Sequence, residues 1–240
     1  MIFSKLANII YSIKDGTFIK FKDRTAAAET LANVLKEEIK KYNSSEILIL
    51  GIPRGGVIMA DIITKRLNNS SFDIIIPRKL RSPYNPESSV GAIIKDFDTN
   101  TIETYLDQKF IDYTNIPSKY IEQETERQVN EINRRAAIYG NGIQKEMIND
   151  KLIILVDDGA AMGATLIVSI RWIKKFNPKK IIIAITGPSK DTIDILNQEG
   201  IDKVEALITP SAKKFYSVFQ FYQNFQQVKD QTVVYILKNQ

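Results

Sequence analysis

Cysteine and histidine are both absent from the 240 residues of this chain. Without cysteine there is no disulfide framework and no thiolate metal site. Without histidine there is no histidine acid/base pair, no Ser–His–Asp triad and no imidazole ligand for a metal. Any metal that the chain uses is therefore held by oxygen atoms, which favours Mg²⁺, Mn²⁺ or Ca²⁺.

Long apolar runs are also absent, since no segment approaches the roughly 18–20 apolar residues that span a bilayer. The N-terminal stretch has Lys5 among its apolar residues. We therefore expect no signal peptide, no membrane contact and a cytoplasmic protein. The net charge of +5 suits an anionic small molecule or a nucleic acid, but is also common in proteins that bind neither. Because no nucleic-acid-binding motif is present, we expect no nucleic-acid partner.

Short apolar segments alternate with helical patterns along the chain. Buried strands are predicted over residues 46–51, 72–77, 152–158, 180–186 and 204–209. Helices are predicted from Asp23 to about residue 42, and over 57–67, 118–139, 165–176 and 191–198. This order predicts an α/β fold, in which a doubly wound and mainly parallel sheet has helices on both faces.

Two parts of the chain fit this alternation less well. Residues 91–96 and 101–106 are predicted to form two antiparallel strands, and residues 79–90 to form a loop. The last 30 residues are predicted to be a helical, aromatic-rich tail. We expect one domain over residues 1–240, in which 98–150 and 209–240 form a helical and β cap, or hood, on the sheet.

The C-terminal tail concentrates aromatic side chains. Six lie within eleven residues, namely Phe215, Tyr216, Phe219, Phe221, Tyr222 and Phe225. On a helix, Phe215, Phe219 and Tyr222 would share one face. This face either packs the tail against the sheet or offers a platform on which an acceptor base stacks.

Ligands of an open parallel sheet bind beyond the carboxyl ends of its strands, which here lead into the loops 51–56, 78–90 and 157–165. The last of these loops begins with two adjacent acids, Asp157 and Asp158. Two carboxylates at a strand end are costly unless they are used, and they can accept hydrogen bonds from a vicinal diol such as a ribose. The small residues that follow let backbone N–H groups and a helix N-terminus hold a phosphate. The pattern indicates a ribose 5-phosphate site; the alternative is an Asp-Gly turn that merely caps the next helix.

The segment LIILVDDGAAMGAT, residues 152–165, resembles the signature of the type I phosphoribosyltransferases. The resemblance implies that the two acids hold the ribose hydroxyls of phosphoribosyl pyrophosphate (PRPP), and that residues 161–165 cradle its 5-phosphate. The implied ribose and 5-phosphate site comprises Asp157, Asp158, Gly159, Ala160, Ala161, Met162, Gly163, Ala164 and Thr165. Met162 departs from the family, which usually has a Thr or Ser whose hydroxyl binds the phosphate. A thioether cannot donate that hydrogen bond.

The loop 51–56 ends a strand and opens a helix. Its glycines allow close approach to an anion, and Arg54 adds a forked cation. Similar loops bind the pyrophosphate of PRPP in the family, which also has basic residues after the strand that here covers 72–77. We expect this strand beside the strand 152–158. The implied pyrophosphate site comprises Arg54, Gly55, Gly56, Arg78 and Lys79. The alternatives are a glycine turn beside a surface arginine and a surface cation pair.

The resemblance extends over about residues 17–240, to a little-characterised family with a phosphoribosyltransferase domain. The shared features are FKDR at 21–24, PRGG at 53–56, RKL…NPE…GA at 78–92, the helix end 131–139, and the tail QFYQNFQQV at 220–228.

The resemblance implies Mg²⁺-dependent transfer of the 5-phosphoribosyl group from PRPP to an unidentified acceptor, with release of pyrophosphate. Arg54 and Lys79 would stabilise the pyrophosphate, and Asp157 and Asp158 would bind the ribose and be the candidates for metal contact, directly or through water. A second hypothesis is a PRPP- or nucleotide-sensing regulatory protein without turnover. A third is an unrelated α/β phosphosugar binder or hydrolase. Dimers are frequent in such folds, and we expect a homodimer by this analogy.

Overall fold

A computed structural model describes residues 20–68, 71–85 and 88–240. The first 19 residues, on which the expected absence of a signal peptide rests, lie outside the described part. Its strands are β1 (Ile47–Gly51), β2 (Ser71–Ile74), β3 (Arg78–Arg81), β4 (Ser89–Lys95), β5 (Ile102–Leu106), β6 (Leu152–Asp157), β7 (Lys180–Ile185) and β8 (Lys203–Ala206). Its α-helices are α1 (Arg24–Ile39), α2 (Gly55–Leu67), α3 (Gln108–Thr114), α4 (Ser118–Tyr139), α5 (Ala164–Lys174), α6 (Lys190–Gln198) and α7 (Asp230–Lys238).

Five strands form a parallel sheet in the order β2-β1-β6-β7-β8. Every residue of β1 and β6 is buried, because helices cover both faces of the sheet. On one face, Leu31 of α1 and Ile63 of α2 share a core with Ile154. On the other face, Ile167 of α5 shares a core with Leu155. The predicted α/β fold with a doubly wound, mainly parallel sheet is confirmed. No helix of the described residues is both long and apolar enough to cross a membrane.

A second, antiparallel sheet in the order β3-β4-β5 packs against both α4 and α5. The predicted antiparallel pair of strands is confirmed as β4 and β5. The prediction that residues 79–90 form a single loop is wrong at both ends, since Arg78–Arg81 pairs with β4, and β4 itself begins at Ser89. The sequence RKLR concealed this strand because only Leu80 is fully buried. The division into a domain with caps at 98–150 and 209–240 stays a prediction.

The expected adjacency of strands 72–77 and 152–158 is wrong, because β1 lies between β2 and β6. β1, α2 and β2 form one βαβ unit, and this unit adds β2 at the outer edge of the sheet. Arg78 and Lys79 therefore come to the carboxyl edge of the sheet from β3 of the second sheet.

The tail that we predicted to be helical is helical only in part, because α7 begins at Asp230, after the aromatic residues, which lie in short 3-10 helices and loops. Val218–Phe221 is a short 3-10 helix, and it ends where the chain pairs with another segment, since Phe21 N donates to Phe221 O and Gln223 N donates to Phe21 O, each at 2.8 Å. Gln220 Oε1 accepts from Tyr216 N at 2.9 Å and from Ser217 N at 3.2 Å. The three aromatic residues that an α-helix would align therefore face different surroundings, since Tyr222 is buried and Phe219 is exposed.

Candidate functional site

The carboxyl ends of β1 and β6 lie side by side and bring two of the predicted loops together. Ile52 N donates to Val156 O at 3.0 Å, so the loop after β1 begins against β6. The first turn of α2 is pressed onto the same strand end. A Cβ atom on Gly56 would lie 2.4 Å from Val156 O, and one on Gly55 would lie 1.9 Å from Asp158 Oδ2. This close approach explains the double glycine of the PRGG segment.

Asp157 is the last residue of β6, and its side chain is buried. Its Oδ1 accepts a hydrogen bond from Asp158 N at 2.8 Å. Burial raises the pKa of Asp157 well above its ordinary value, and the negative charge of Asp158 raises it further. Hydrogen-bond donors such as hydroxyl groups would offset the hydration that this carboxyl group loses.

Asp158 forms an ion pair with Arg24, a residue for which no role was predicted from the sequence. Arg24 Nε donates to Asp158 Oδ2 at 2.7 Å, and Arg24 Nη1 donates to Gln226 O at 2.8 Å. The guanidinium group also lies 3.9 Å from the centre of the Phe225 ring. Arg24 thus joins the start of α1, the acidic pair and the C-terminal tail. The only sequence signal for it was its position in the shared FKDR segment.

Helix α6 holds the loop between β6 and α5 by a hydrogen bond. Thr192 Oγ1, on α6, donates to Ala161 O at 2.8 Å. Gly163 has a left-handed backbone with φ of 71° and precedes Ala164, the first residue of α5. All the residues of the predicted ribose and 5-phosphate site from Gly159 to Thr165, including the cradle 161–165, line one cavity beside this helix N-terminus. Such a helix N-terminus attracts anions, because its first N–H groups and its dipole point outward.

Arg54 lies directly before α2, at the predicted pyrophosphate loop. The peptide bond between Pro53 and Arg54 is cis. The Arg54 side chain is 27% exposed, and its Nη1 lies 3.5 Å from Asp230 Oδ1. Arg135 of α4 is buried and donates from Nη1 to Pro53 O at 3.2 Å. No sequence pattern predicted a functional role for Arg135, because its contact with Pro53 spans 82 positions of the chain.

Arg78 adds a second, more deeply placed cation. Its Nε donates to Gln128 Oε1 at 2.9 Å, and Gln128 Nε2 donates in turn to Glu124 Oε1 at 2.8 Å. Burial, and to a smaller extent the charge of Arg135, lowers the pKa of Arg78 to about 10. Arg78 therefore carries its charge at neutral pH, and α4 fixes the direction of its guanidinium group.

Two adjoining cavities open at this edge of the sheet. A cavity of about 390 Å³ is lined by basic and acidic side chains, namely Arg24, Arg54, Arg78, Lys79, Arg135, Asp157 and Asp158. A cavity of about 690 Å³ is lined by the cradle residues and by Ser89, Tyr216, Val218 and Phe219. Lys79, Thr165 and Phe225 line both. An elongated anion fits this arrangement, with one charged end among the arginines and the other at α5.

The acidic pair does not form a metal cage by itself. Within residues 20–68, 71–85 and 88–240, no three acidic side chains gather around a common point. One carboxylate oxygen of Asp158 is bound to Arg24. The donor set therefore fits an Mg²⁺ ion held mostly by water and by a ligand's own oxygen atoms, with one protein contact at Asp157 or Asp158.

A family model described as a phosphoribosyl transferase domain matches residues 20–192. The chain belongs to the phosphoribosyl transferase domain family. The resemblance to type I phosphoribosyltransferases is thereby confirmed, and the hypothesis of an unrelated phosphosugar binder is wrong.

Two curated relatives from Mycobacterium tuberculosis carry the names "Putative phosphoribosyl transferase MT0597" and "Putative phosphoribosyl transferase Rv0571c". Each is 30% identical over 218 residues, which are 90% of this chain and 46% of the relative. The chain thus spans about half the length of the curated relatives it matches. The crystal structure of TT1426 from Thermus thermophilus is similar with a TM-score of 0.67 at 27% identity, covering 92% of this chain and 99% of that chain.

Proposed function

We propose that this family member transfers the 5-phosphoribosyl group of PRPP to an acceptor and releases pyrophosphate. The observation that carries the proposal is a juxtaposition at one edge of the sheet. The arginine-lined cavity adjoins the acidic pair after β6 and the cradle at the N-terminus of α5. Membership of the phosphoribosyl transferase domain family supports the same chemistry.

In the proposed complex, the ribose lies against the acidic pair and the 5-phosphate lies in the loop 161–165. Asp157 accepts hydrogen bonds from the ribose hydroxyl groups, which replace the water that its carboxyl group loses by burial. Asp158 contributes its Oδ1, since its Oδ2 is bound to Arg24. The 5-phosphate faces the first turn of α5 and its backbone N–H groups.

The reaction breaks the bond between C1 of the ribose and a pyrophosphate oxygen, which keeps the electron pair. A lone pair of the acceptor forms the new bond to C1. In this proposal, Arg54, Arg78 and Lys79 stabilise the charge that leaves with the pyrophosphate. The ribose becomes oxocarbenium-like, and its positive charge is stabilised by the acidic pair. The chain needs no histidine for this chemistry, because positioning and charge stabilisation supply most of the rate.

We propose that a Mg²⁺ ion bound together with PRPP would neutralise part of the pyrophosphate charge. Asp157 or Asp158 would contact it, directly or through water. This role agrees with a site that offers one or two acidic side chains and not three.

The acceptor approaches, in this proposal, through the larger cavity. Tyr216 and Phe219 lie there with their rings 5.6 Å apart at 69°, and both side chains are more than half exposed. Although the two rings contact each other edge to face, their exposed surfaces leave room for a planar ring to stack. Phe221 and Tyr222 instead belong to the core.

The second candidate function is a regulatory protein that binds PRPP without turnover. One observation favours it: Asp230 lies 3.5 Å from Arg54, so a carboxylate of the chain already shares the cation proposed for the pyrophosphate. A transferase needs the full charge of this cation when the pyrophosphate leaves, whereas a protein that only binds PRPP does not.

Thermal unfolding with and without PRPP and Mg²⁺ tests the proposal. PRPP at 100 times its dissociation constant adds about 2.7 kcal/mol of apparent stability. We expect Arg54→Ala to lose this gain. Arg66→Ala is the matched control, because Arg66 lies on α2 with a side chain that is 57% exposed and is expected to leave the gain intact.

Three outcomes separate the two functions. A gain in the parent protein with pyrophosphate release in a screen of acceptors supports the transferase. A gain without pyrophosphate release for any acceptor supports the regulatory protein. The absence of any gain at millimolar PRPP contradicts both, and Mg²⁺ alone is expected to give none. A double substitution of the acidic pair is a poor control, because Asp158 also carries the ion pair with Arg24.

A further inference from the structure

In the loop proposed to hold the 5-phosphate, residues 161–165, Thr165 at the end is the one residue whose side chain can donate a hydrogen bond, since residues 161–164 are Ala, Met or Gly. Ser89 brings a hydroxyl group to the middle of this loop from another element. It is the first residue of β4, is 2% exposed, and its Oγ lies 3.9 Å from Met162 Sδ. Both residues line the larger cavity beside α5. We propose that Ser89 donates a hydrogen bond to the phosphate group held by this loop, which rests on the proposed function.

An irregularity in the second sheet turns Ser89 towards the cradle. Ala92 and Ile94 belong to the core under α5, so regular alternation would place Val90 there as well. Val90 instead shares the opposite core with Ile93. The reversal follows from a β-bulge in β4. Leu80 of β3 pairs with Gly91 and Arg81 pairs with Ser89, so the residue between them in β4 has no partner in β3. Ser89 therefore lies on the α5 side of the sheet.

Gly91 allows this reversal. A Cβ atom at position 91 would lie 2.0 Å from Tyr105 O on the neighbouring strand β5. Only glycine lets β4 approach β5 so closely at the bulge. The direction of the Ser89 side chain is thus determined by the backbone of three strands, so the hydroxyl group is held at the loop before any ligand binds.

The present partner of the hydroxyl group is a weak one. A thioether sulfur accepts hydrogen bonds poorly, whereas a phosphate oxygen accepts a short and strong one. If the Ser89 O–H bond rotates, its hydrogen bond can pass from the Met162 sulfur to a phosphate oxygen without a change in the backbone. A buried hydroxyl group whose acceptor is a thioether loses much of the hydrogen bonding that it has in water, which is unfavourable. A bound phosphate would offset this loss by accepting a stronger hydrogen bond. Ser89 would therefore favour phosphorylated over unphosphorylated ribose.

Isothermal calorimetry on the full chain tests this assignment with two probes, ribose 5-phosphate and pyrophosphate. We expect Ser89→Ala to weaken the binding of ribose 5-phosphate by about tenfold or more, the usual effect of losing a hydrogen bond to a charged group. Pyrophosphate binds at the arginine-lined cavity in our proposal, so its affinity should stay within about twofold. Ser88→Ala is the matched control, because Ser88 adjoins Ser89 and is not among the residues that line the cavity.

A second variant guards against a general disturbance. Met162→Thr supplies a hydroxyl group at the residue that Ser89 contacts. In the Ser89→Ala background we expect it to restore most of the lost affinity for ribose 5-phosphate.

The inference is overturned if Ser89→Ala binds ribose 5-phosphate as tightly as Ser88→Ala does. Equal losses for both probes also overturn it, because they indicate a disturbed fold. If the parent protein binds neither probe, the proposed function itself fails. A parent that binds both probes, with no effect of Ser89→Ala, leaves the proposed function standing and rejects only the role of Ser89.

Discussion

Asp157 and Asp158, at the end of β6, have different surroundings and are therefore suited to different roles. Asp157 is buried and its pKa is raised well above the ordinary value, chiefly by burial. Asp158 holds the guanidinium group of Arg24 at 2.7 Å. Asp157 is therefore better suited to bind hydroxyl groups, whereas Asp158 also holds the fold together. A substitution of Asp158 is expected to change stability as well as ligand binding.

Arg24→Ala should lower the free energy of unfolding by about 3–5 kcal/mol, because it leaves the Asp158 carboxylate without its cation in a protected position. The side chains of Arg24 and Asp158 are only 11% and 15% exposed. Arg24→Lys should recover a part of the loss, since an ammonium group cannot reproduce the planar contact with the Phe225 ring. Urea denaturation measures both changes.

Arg66→Ala is the control for this experiment, because Arg66 pairs with Glu29 at an exposed position. Exposed pairs contribute roughly 0–1 kcal/mol. Equal losses for the Arg24 and Arg66 variants would show that the ion pair at the site has no special structural role.

At the scale of elements, the start of α7 is held by one carboxylate. Asp230 accepts hydrogen bonds from the hydroxyl group of Tyr139 and from Arg134 Nη1, the latter at 2.9 Å. Arg54 Nη1 lies 3.5 Å from the same group. The hydrogen bond from Tyr139 and the charges of both arginines keep the pKa of Asp230 below its ordinary value. The last helix, the end of α4 and the PRGG loop are therefore joined at a single side chain.

Asp230→Asn should release α7 and raise the rate of hydrogen exchange of its amides by about tenfold at neutral pH, because a charge-assisted hydrogen bond contributes about 1.5–3 kcal/mol before solvent screening. The pKa of Asp230 is lowered by folding, so its contribution is complete above the ordinary Asp value of 3.8 and is lost as the pH falls through the lower, folded value. The protection of α7 in the parent should decline in the same acidic range.

Asp191→Asn serves as the comparison for α7, since Asp191 also lies in the first turn of a helix, α6. Its effect through the helix dipole is expected to be about 0.3–1 kcal/mol. If the two variants change the exchange of their own helices equally, Asp230 does not anchor α7 as we infer.

At the scale of the whole molecule, the sequence was informative where the physical signal is local. Continuous apolar runs predicted β1, β6 and β7, and the two acids after β6 indicated the site edge. The sequence was misleading where contacts between distant segments determine whether a strand forms or which side chains meet. Strand β3 exists through its pairing with β4, and Arg24 reaches Asp158 across 134 positions. The order of β1 and β2 follows from one βαβ connection, which a list of apolar segments does not reveal.

The C-terminal tail shows the same limit, because its aromatic residues look alike in sequence but differ in burial. Phe221 is fully buried, and Phe21 N donates to Phe221 O at 2.8 Å. Tyr222 donates its hydroxyl hydrogen to Asp158 O or Thr186 Oγ1, each at 2.7 Å. Phe219, in the same 3-10 helix, is 54% exposed. The tail therefore completes the core of the parallel sheet while it also borders the site.

Phe221→Ala should lower the free energy of unfolding by about 3–5 kcal/mol, the usual cost of removing a buried aromatic ring. Phe219→Ala should cost less than about 1 kcal/mol, because its ring is already in contact with water. Because the tail shares the core of the sheet, both variants should unfold in a single transition. Denaturation followed by tryptophan fluorescence at Trp172, the one tryptophan of the chain, and by circular dichroism measures these values. A separate early transition, or equal costs for the two variants, would show that the tail is an appendage and not a part of the core.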